Sequence, residues 1–338
     1  MAQKNETALR TEHEIVRNKV GYYDFTHQTL KVTGPDNEKL LDHIFSNSIG
    51  TLKVGKAKYT QMLNENGIII DDLIIFRLSD DEFWLSTLYI DQMLEWFGKH
   101  ADGFDAEYTE ITDQWNMYAV QGPNSRDLIN AIVAEDVSDL SWFSITDNKV
   151  DDIPVKIARA GFTGELGFEI FVHPDSSDKV IEKLTTAGKE YDLKEITTDV
   201  TLSSLPREKG YVLMDDINDL NLFEADFGWA VDFNTDFIGK EPTQKAKDDG
   251  HDRQLLGFIV EETPDEIDIT IGDKVLLNDE EVAEVRAITY GFTTEKYIGY
   301  AIVDLNKAKI SDKVTIGDYN AEITERIFYD KENERLRQ

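Results

Sequence analysis

Arg159-Ala-Gly-Phe-Thr-Gly-Glu-Leu-Gly-Phe-Glu-Ile-Phe-Val172 is the stretch on which the reading of this chain turns. It sets Gly161, Gly164 and Gly167 three residues apart, directly before an alternating strand. Glycines at that spacing let backbone come close to a ligand or to another strand. Inside the strand one carboxylate, Glu169, stands among Phe168, Ile170 and Phe171. An acid held among apolar groups must find a donor. A planar heterocycle with two adjacent N–H groups would supply one, whereas a glycine-rich hairpin with Glu169 on an edge strand would need none.

Outward from this stretch, strands and helices mix without a strict parallel repeat. Gly34-Pro35 and Asp36 open a helix through Leu40, Leu41, Ile44 and Phe45, with Asp36 as the N-cap. Asn64-Glu-Asn-Gly67 and Ser79-Asp-Asp-Glu82 are hairpin turns. Ile90 to Phe97, Ser125 to Val133 and Asp175 to Tyr191 are amphipathic helices, so the fold class is α+β. The most polar break is Gln244–Gln254, and short strands follow it at Leu255–Val260, Lys274–Leu277, Tyr297–Val303 and Ala321–Thr324. That pattern predicts a small β-barrel or sandwich over residues 250–338, after a body spanning 1–245.

Asp71-Asp72 is the second centre of interest. Side chains alternate along a strand, so Ile70, Asp72, Ile74 and Phe76 share one face while Ile69, Asp71, Leu73 and Ile75 share the other. The two acids cannot form a proton-sharing dyad. Each lies among hydrophobic neighbours or at a polar strand end.

These motifs together resemble the aminomethyltransferase family, the glycine cleavage T-protein and its relatives. Its glycine-rich motif reads Gly-Tyr-Thr-Gly-Glu-x-Gly-Tyr-Glu-Ile. Glu12-His-Glu-Ile-Val-Arg17 and Tyr23-Asp-Phe-Thr-His27 are similar to its Glu-His-x-x-Val-Arg and Phe-Asp-Val-Ser-His. Lys58-Tyr-Thr-Gln-Met-Leu-Asn64, Gly67-Ile-Ile-Ile-Asp-Asp-Leu-Ile74, Val120-Gln-Gly-Pro-Asn124, Phe227-Gly-Trp229 and Asp236-Phe-Ile-Gly-Lys-Glu241 follow in the family's order. The resemblance implies a two-lobed folate-binding α+β body and a C-terminal β-domain around a central ligand hole. It implies tetrahydrofolate as cofactor, Glu169 as receiver of the pterin ring, and Asp72 as the catalytic acid beside N5. Tyr59, Phe76 and Phe162 fall at pocket positions, the last two where the family has tyrosines; Tyr59, taken alone, reads more often as plain core.

The departures bear on the substrate. The family's Ala-Arg-Asp-x-x-Arg-Leu-Glu-Ala-Gly aligns with Thr201-Leu-Ser-Ser-Leu-Pro-Arg-Glu-Lys-Gly210, which lacks two arginines and an aspartate, Arg207 standing one place from the nearest. Arginine forks bind carboxylates bidentately, so their loss changes how a folate tail or substrate is held. An asparagine after the Leu85 strand becomes Leu88. A pocket with fewer donors suits a less polar methyl donor.

Composition narrows the partners. The 338 residues carry 67 acidic and 35 basic side chains, a formal charge of -32, which repels nucleic acid and anionic membranes. The same charge opposes docking to an acidic lipoyl carrier protein, the glycine-cleavage partner the family implies, leaving a free small-molecule one-carbon donor as the favoured partner. Only Lys53-Val-Gly-Lys-Ala-Lys58 clusters positive charge. There are no cysteines, which excludes thiolate chemistry and disulfides. The six histidines show no paired spacing, and no metal site is expected. The polar N-terminus has no apolar h-region and no apolar run of membrane-spanning length occurs, so a cytoplasmic location is expected. The expected function is tetrahydrofolate-dependent one-carbon transfer. The alternatives are demethylation of a small O-, S- or N-methyl compound and, in another class, a non-catalytic folate-binding module.

Overall fold

The computed structural model describes residues 2–264 and 266–338. Among these residues, seventeen strands form two open sheets and a barrel. The first sheet contains β1 (Gly21–Asp24), β7 (Asn116–Gln121), β8 (Ser144–Val150), β9 (Ile153–Arg159), β10 (Gly167–Val172) and β11 (Lys194–Glu195), in the order β11-β1-β7-β10-β9-β8. The second contains β2 (Gln28–Thr33), β3 (Ala57–Leu63), β4 (Ile69–Arg77), β5 (Glu82–Thr87) and β6 (Glu107–Glu110), in the order β3-β4-β5-β2-β6. Strands β12 (Arg253–Val260), β13 (Lys274–Leu277), β14 (Glu280–Gly291), β15 (Lys296–Asp304), β16 (Lys313–Ile316) and β17 (Tyr319–Thr324) close into the barrel, β17 returning to β12. The fold is α+β with a C-terminal closed barrel rather than a sandwich.

Each open sheet buries one face under helices. Helices α2 (Asn37–Ile44) and α3 (Ile90–His100) lay Leu40, Leu41, Ile44, Met93 and Phe97 on the second sheet. Helices α4 (Ser125–Asn130) and α5 (Pro174–Ala187) lay Leu128, Ile129, Val180 and Leu184 on the first. Apolar residues three and four apart give each helix the stripe this packing needs. Asp36 is the N-cap of α2 by position only, since its side chain caps no backbone N–H and instead reaches Lys39. Helix α4 stops three residues before the expected Val133, its last turn tightening through Ile132 N–H to Ile129 O (3.0 Å).

The opposite faces of the two sheets meet each other. Phe76, Trp84 and Ala57 from the second sheet pack on Phe171, Ala158, Met117 and Ile145 from the first. Helix α1 (Ala2–Asn18) and the short helices α6 (Thr198–Thr201) and α7 (Ser204–Glu208) cover Tyr23 and Ala119 at the same joint. Helix α8 (Met214–Ile217) and the loop through Phe227 seal the barrel residues Leu255, Tyr300 and Ile302 onto Leu63 and Ile69 of the second sheet. Helix α9 (Lys240–Asp249) precedes the barrel.

Candidate functional site

Strand β10 is interior, paired with β7 on one side and β9 on the other, and all six of its residues are buried. Glu169 is therefore not an edge residue. Its register partners Ala119 and Ala158 carry only methyl groups, leaving low ground on both sides of the carboxylate. No hydrogen-bond donor reaches that carboxylate among the described residues, and burial alone pushes its pKa up to about 8. A buried acid without a donor is what a ligand with paired N–H groups would complete.

The glycines have a different task from close approach to a ligand. A side chain at Gly161 or Gly167 would run into the amide of Gln121. That buried amide accepts from Thr163 Oγ1 (2.8 Å) and donates to Ala160 O (3.1 Å), stapling the glycine loop to the end of β7. At Gly164, where φ is +79°, the neighbour is the Lys209 side chain.

Across the joint, β4 divides its acids as the alternation requires. Asp72 lies on the face turned to the first sheet with Ile74 and Phe76. Its Oδ2 accepts from Tyr59 Oη at 2.5 Å. Burial raises its pKa to about 6 despite that bond, and Asp216 adds to the rise. Asp71 is buried on the other face, where Oδ2 accepts from Thr87 Oγ1 (2.7 Å) and Oδ1 has no partner. Burial lifts it to about 7.

Phe76 meets Phe171 edge to face at 5.7 Å, and Phe171 is one same-face step from Glu169. Asp72 is two such steps from Phe76, roughly 13 Å along β4 at the usual strand rise. Both carboxylates thus border one inter-sheet seam, Glu169 from the first sheet and Asp72 from the second, beside Tyr59. Phe76 is buried in that seam, while half-buried Phe162, on the glycine loop, stacks on Tyr211 at 5.4 Å. Tyr59 carries Trp229 stacked at 6.0 Å on its outer side; Trp229 is 68% exposed and Leu88 52% exposed, giving apolar surface outside the acid end.

Three further polar groups are buried nearby, and of these the sequence points only to His27, which follows the Tyr23-Asp-Phe-Thr strand and could face the pocket or be an ordinary satisfied histidine. Gln61 faces Asp72 directly across the β3–β4 ladder, is fully buried, and leaves both ends of its amide without partners. Tyr23 Oη is buried and unpartnered. His27 Nδ1 pairs with Ser86 Oγ (2.9 Å) while its Nε2 has no partner, and burial lowers its pKa to about 4. Strand alternation carried from Asp72 to its cross-strand neighbour would have found Gln61.

Other motif residues are structural joints. Arg17 donates to Glu165 (3.1 Å), Glu208 (2.9 Å) and the carbonyls of Thr163 and Leu205. His13 bridges Ser204 and Thr293. Arg335 completes the pin through Glu165 (2.8 Å) and the Arg17 carbonyl. Arg207 is committed to Asp216 and lies over the Tyr300 ring, so it is not a spare carboxylate fork.

Residues 2–235 match the family model of the GCVT N-terminal domain, and residues 253–330 that of the glycine cleavage T-protein C-terminal barrel domain. An aminomethyltransferase of Bacillus cytotoxicus is 33% identical over 324 residues, covering 92% of this chain and 86% of that protein. One of Bacillus mycoides is 32% identical over the same shares. The crystal structure of glycine cleavage system aminomethyltransferase T from Bartonella henselae has the same fold, with a TM-score of 0.83 at 23% identity over 96% of this chain and 90% of that one. The chain belongs to the glycine cleavage T-protein family of one-carbon transferases. No helix among the described residues is long and apolar enough to cross a membrane.

Proposed function

We infer that this enzyme transfers a one-carbon unit from a small-molecule donor to tetrahydrofolate in the cytoplasm. The observation that carries the reading is the buried, donorless carboxylate of Glu169 beside the small residues Ala119 and Ala158. Those residues fit a flat ring that presents adjacent N–H groups. Tetrahydrofolate, when bound, supplies the nitrogen N5 that takes up the one-carbon unit.

The chain's own residues divide the work. Glu169 accepts from the ring and fixes its direction along the seam. Asp72, held by Tyr59, keeps negative charge where positive charge develops on the donor, and a charge already oriented in a dry site costs no reorganisation during the reaction. Phe76 and Phe162 serve as apolar walls. Residues 1–245 carry both carboxylates, and 250–338 form the domain that packs against them.

A free small molecule is favoured over an acidic lipoyl carrier by charge and by the state of the lysine island. Lys56 Nζ donates to Ser144 Oγ (2.8 Å) and Lys58 Nζ to the Ser48 carbonyl, which holds both against the protein and leaves Lys53 the most exposed charge of the island. Family membership supports the carrier as the second reading.

Titration calorimetry with tetrahydrofolate tests the cofactor: wild type binds, and Glu169→Gln binds more weakly by about 1–3 kcal/mol. Equal affinities sink the assignment. Mass detection of product after incubation with a loaded carrier or a panel of methylated small molecules decides the donor; rapid turnover with the carrier alone restores glycine cleavage.

A further inference from the structure

Tyr23 and Glu169 stand in one row of the first sheet. Both register on Ala119 of β7, Tyr23 from β1 and Glu169 from β10, so their side chains leave the same face with a single methyl group between them. The row continues to Ala158 beyond Glu169. Tyr23 is 2% exposed, and its hydroxyl meets no hydrogen-bond partner. A buried hydroxyl left unsatisfied costs stability that phenylalanine would not. Phenylalanine is the residue at this place in the Phe-Asp-Val-Ser-His segment that Tyr23-Asp-Phe-Thr-His27 resembles, while at positions 76 and 162 the chain has lost hydroxyls. Burial, and then the Glu169 carboxylate across the row, push the phenol well above its ordinary range, so it remains a donor at any working pH.

We propose that the Tyr23 hydroxyl is a pterin contact that donates to the 4-oxo oxygen beside the two N–H groups accepted by Glu169. The edge of a 2-amino-4-oxo ring offers amino N–H, ring N–H and carbonyl oxygen in succession. Glu169 supplies the two acceptors, and Tyr23, one strand beyond Ala119, supplies the donor that completes the complement. The assignment selects 4-oxo over 4-amino rings, and it rests on the folate reading above.

The test is titration of wild type and Tyr23→Phe with tetrahydrofolate and with its 4-amino analogue, together with melting of both ligand-free proteins. Tyr23→Phe is expected to weaken tetrahydrofolate binding roughly three- to tenfold. The loss with the 4-amino analogue, whose amino group the phenol oxygen can only accept from, should be smaller, and ligand-free Tyr23→Phe should melt no lower than wild type. Unchanged tetrahydrofolate affinity in the variant, equal losses for both ligands, or a lower melting temperature overturns the Tyr23 contact alone. Failure of wild type to bind tetrahydrofolate overturns the folate reading and this contact with it.

Discussion

Glu169 makes folate binding a proton-coupled event. Burial holds the ligand-free carboxyl near pKa 8 against an ordinary 4.5, so at pH 7 only about one molecule in ten carries the ionised form that accepts two N–H groups. Binding therefore expels a proton from most molecules at pH 7, and affinity climbs nearly tenfold per pH unit up to 8, then levels. The sign for the free protein is opposite: a raised carboxyl contributes stability that is present below 4.5 and lost as pH rises through 8. Asp71 near 7 and Asp72 near 6 titrate in the same range. Glu169→Gln isolates the one group, since both aspartates persist in it. Calorimetry in two buffers of different ionisation enthalpy should give close to one proton released by wild type at pH 7 and about one fewer by Glu169→Gln. Affinity that is flat from pH 6 to 8.5, or equal proton release in both proteins, refutes the reasoning.

Asp72→Asn should lower turnover strongly with little change in folate affinity, because it removes charge needed mainly in the transition state; full activity with the true donor contradicts the role. Asp71→Asn should keep activity and, by removing an acid whose ionisation is resisted, melt higher than wild type at pH 8 but not at pH 5, as scanning calorimetry would read. Tyr59→Phe deletes the hydrogen bond that holds Asp72 down, so the acid limb of the turnover profile should move upward from about 6; an unmoved limb separates Tyr59 from Asp72. Arg17→Ala leaves Glu208 and Glu165 short of their buried cation and should cost about 3–5 kcal/mol in denaturant unfolding.

The sequence displays some of this architecture openly and conceals the rest for identifiable reasons. The turns at Asn64–Gly67 and Ser79–Glu82 are local chemistry, as is the face assignment of Asp71 and Asp72, and local chemistry is visible in short windows. The strands β14 and β16 are not legible in the sequence because Glu280-Glu-Val-Ala-Glu-Val-Arg and Lys313-Val-Thr-Ile spend alternate positions on charged or hydroxyl side chains, a pattern that a loop shares. The glycine spacing was legible but its cause was not: the group it accommodates, Gln121, lies 42 residues from Thr163, beyond any local window. The interior position of Glu169 was foreshadowed by apolar neighbours on both sides of it, the mark of a strand covered on two faces. Orphaned groups such as Tyr23 Oη and the Gln61 amide are defined by absent partners, and absence becomes visible only when all neighbours are in place.

The pin that joins Arg17 to Arg335 ties together residues 318 apart. The same pin includes Glu165 of the glycine loop, so the loop that positions Glu169 is secured by parts of the chain made 318 residues apart. During synthesis helix α1 must wait for the segment around Arg335 before Arg17 acquires its full set of partners, and contacts of such separation are slow to form. Competence to bind should then arrive abruptly, as one event with the docking of the segment around Arg335, rather than growing lobe by lobe as the ribosome advances.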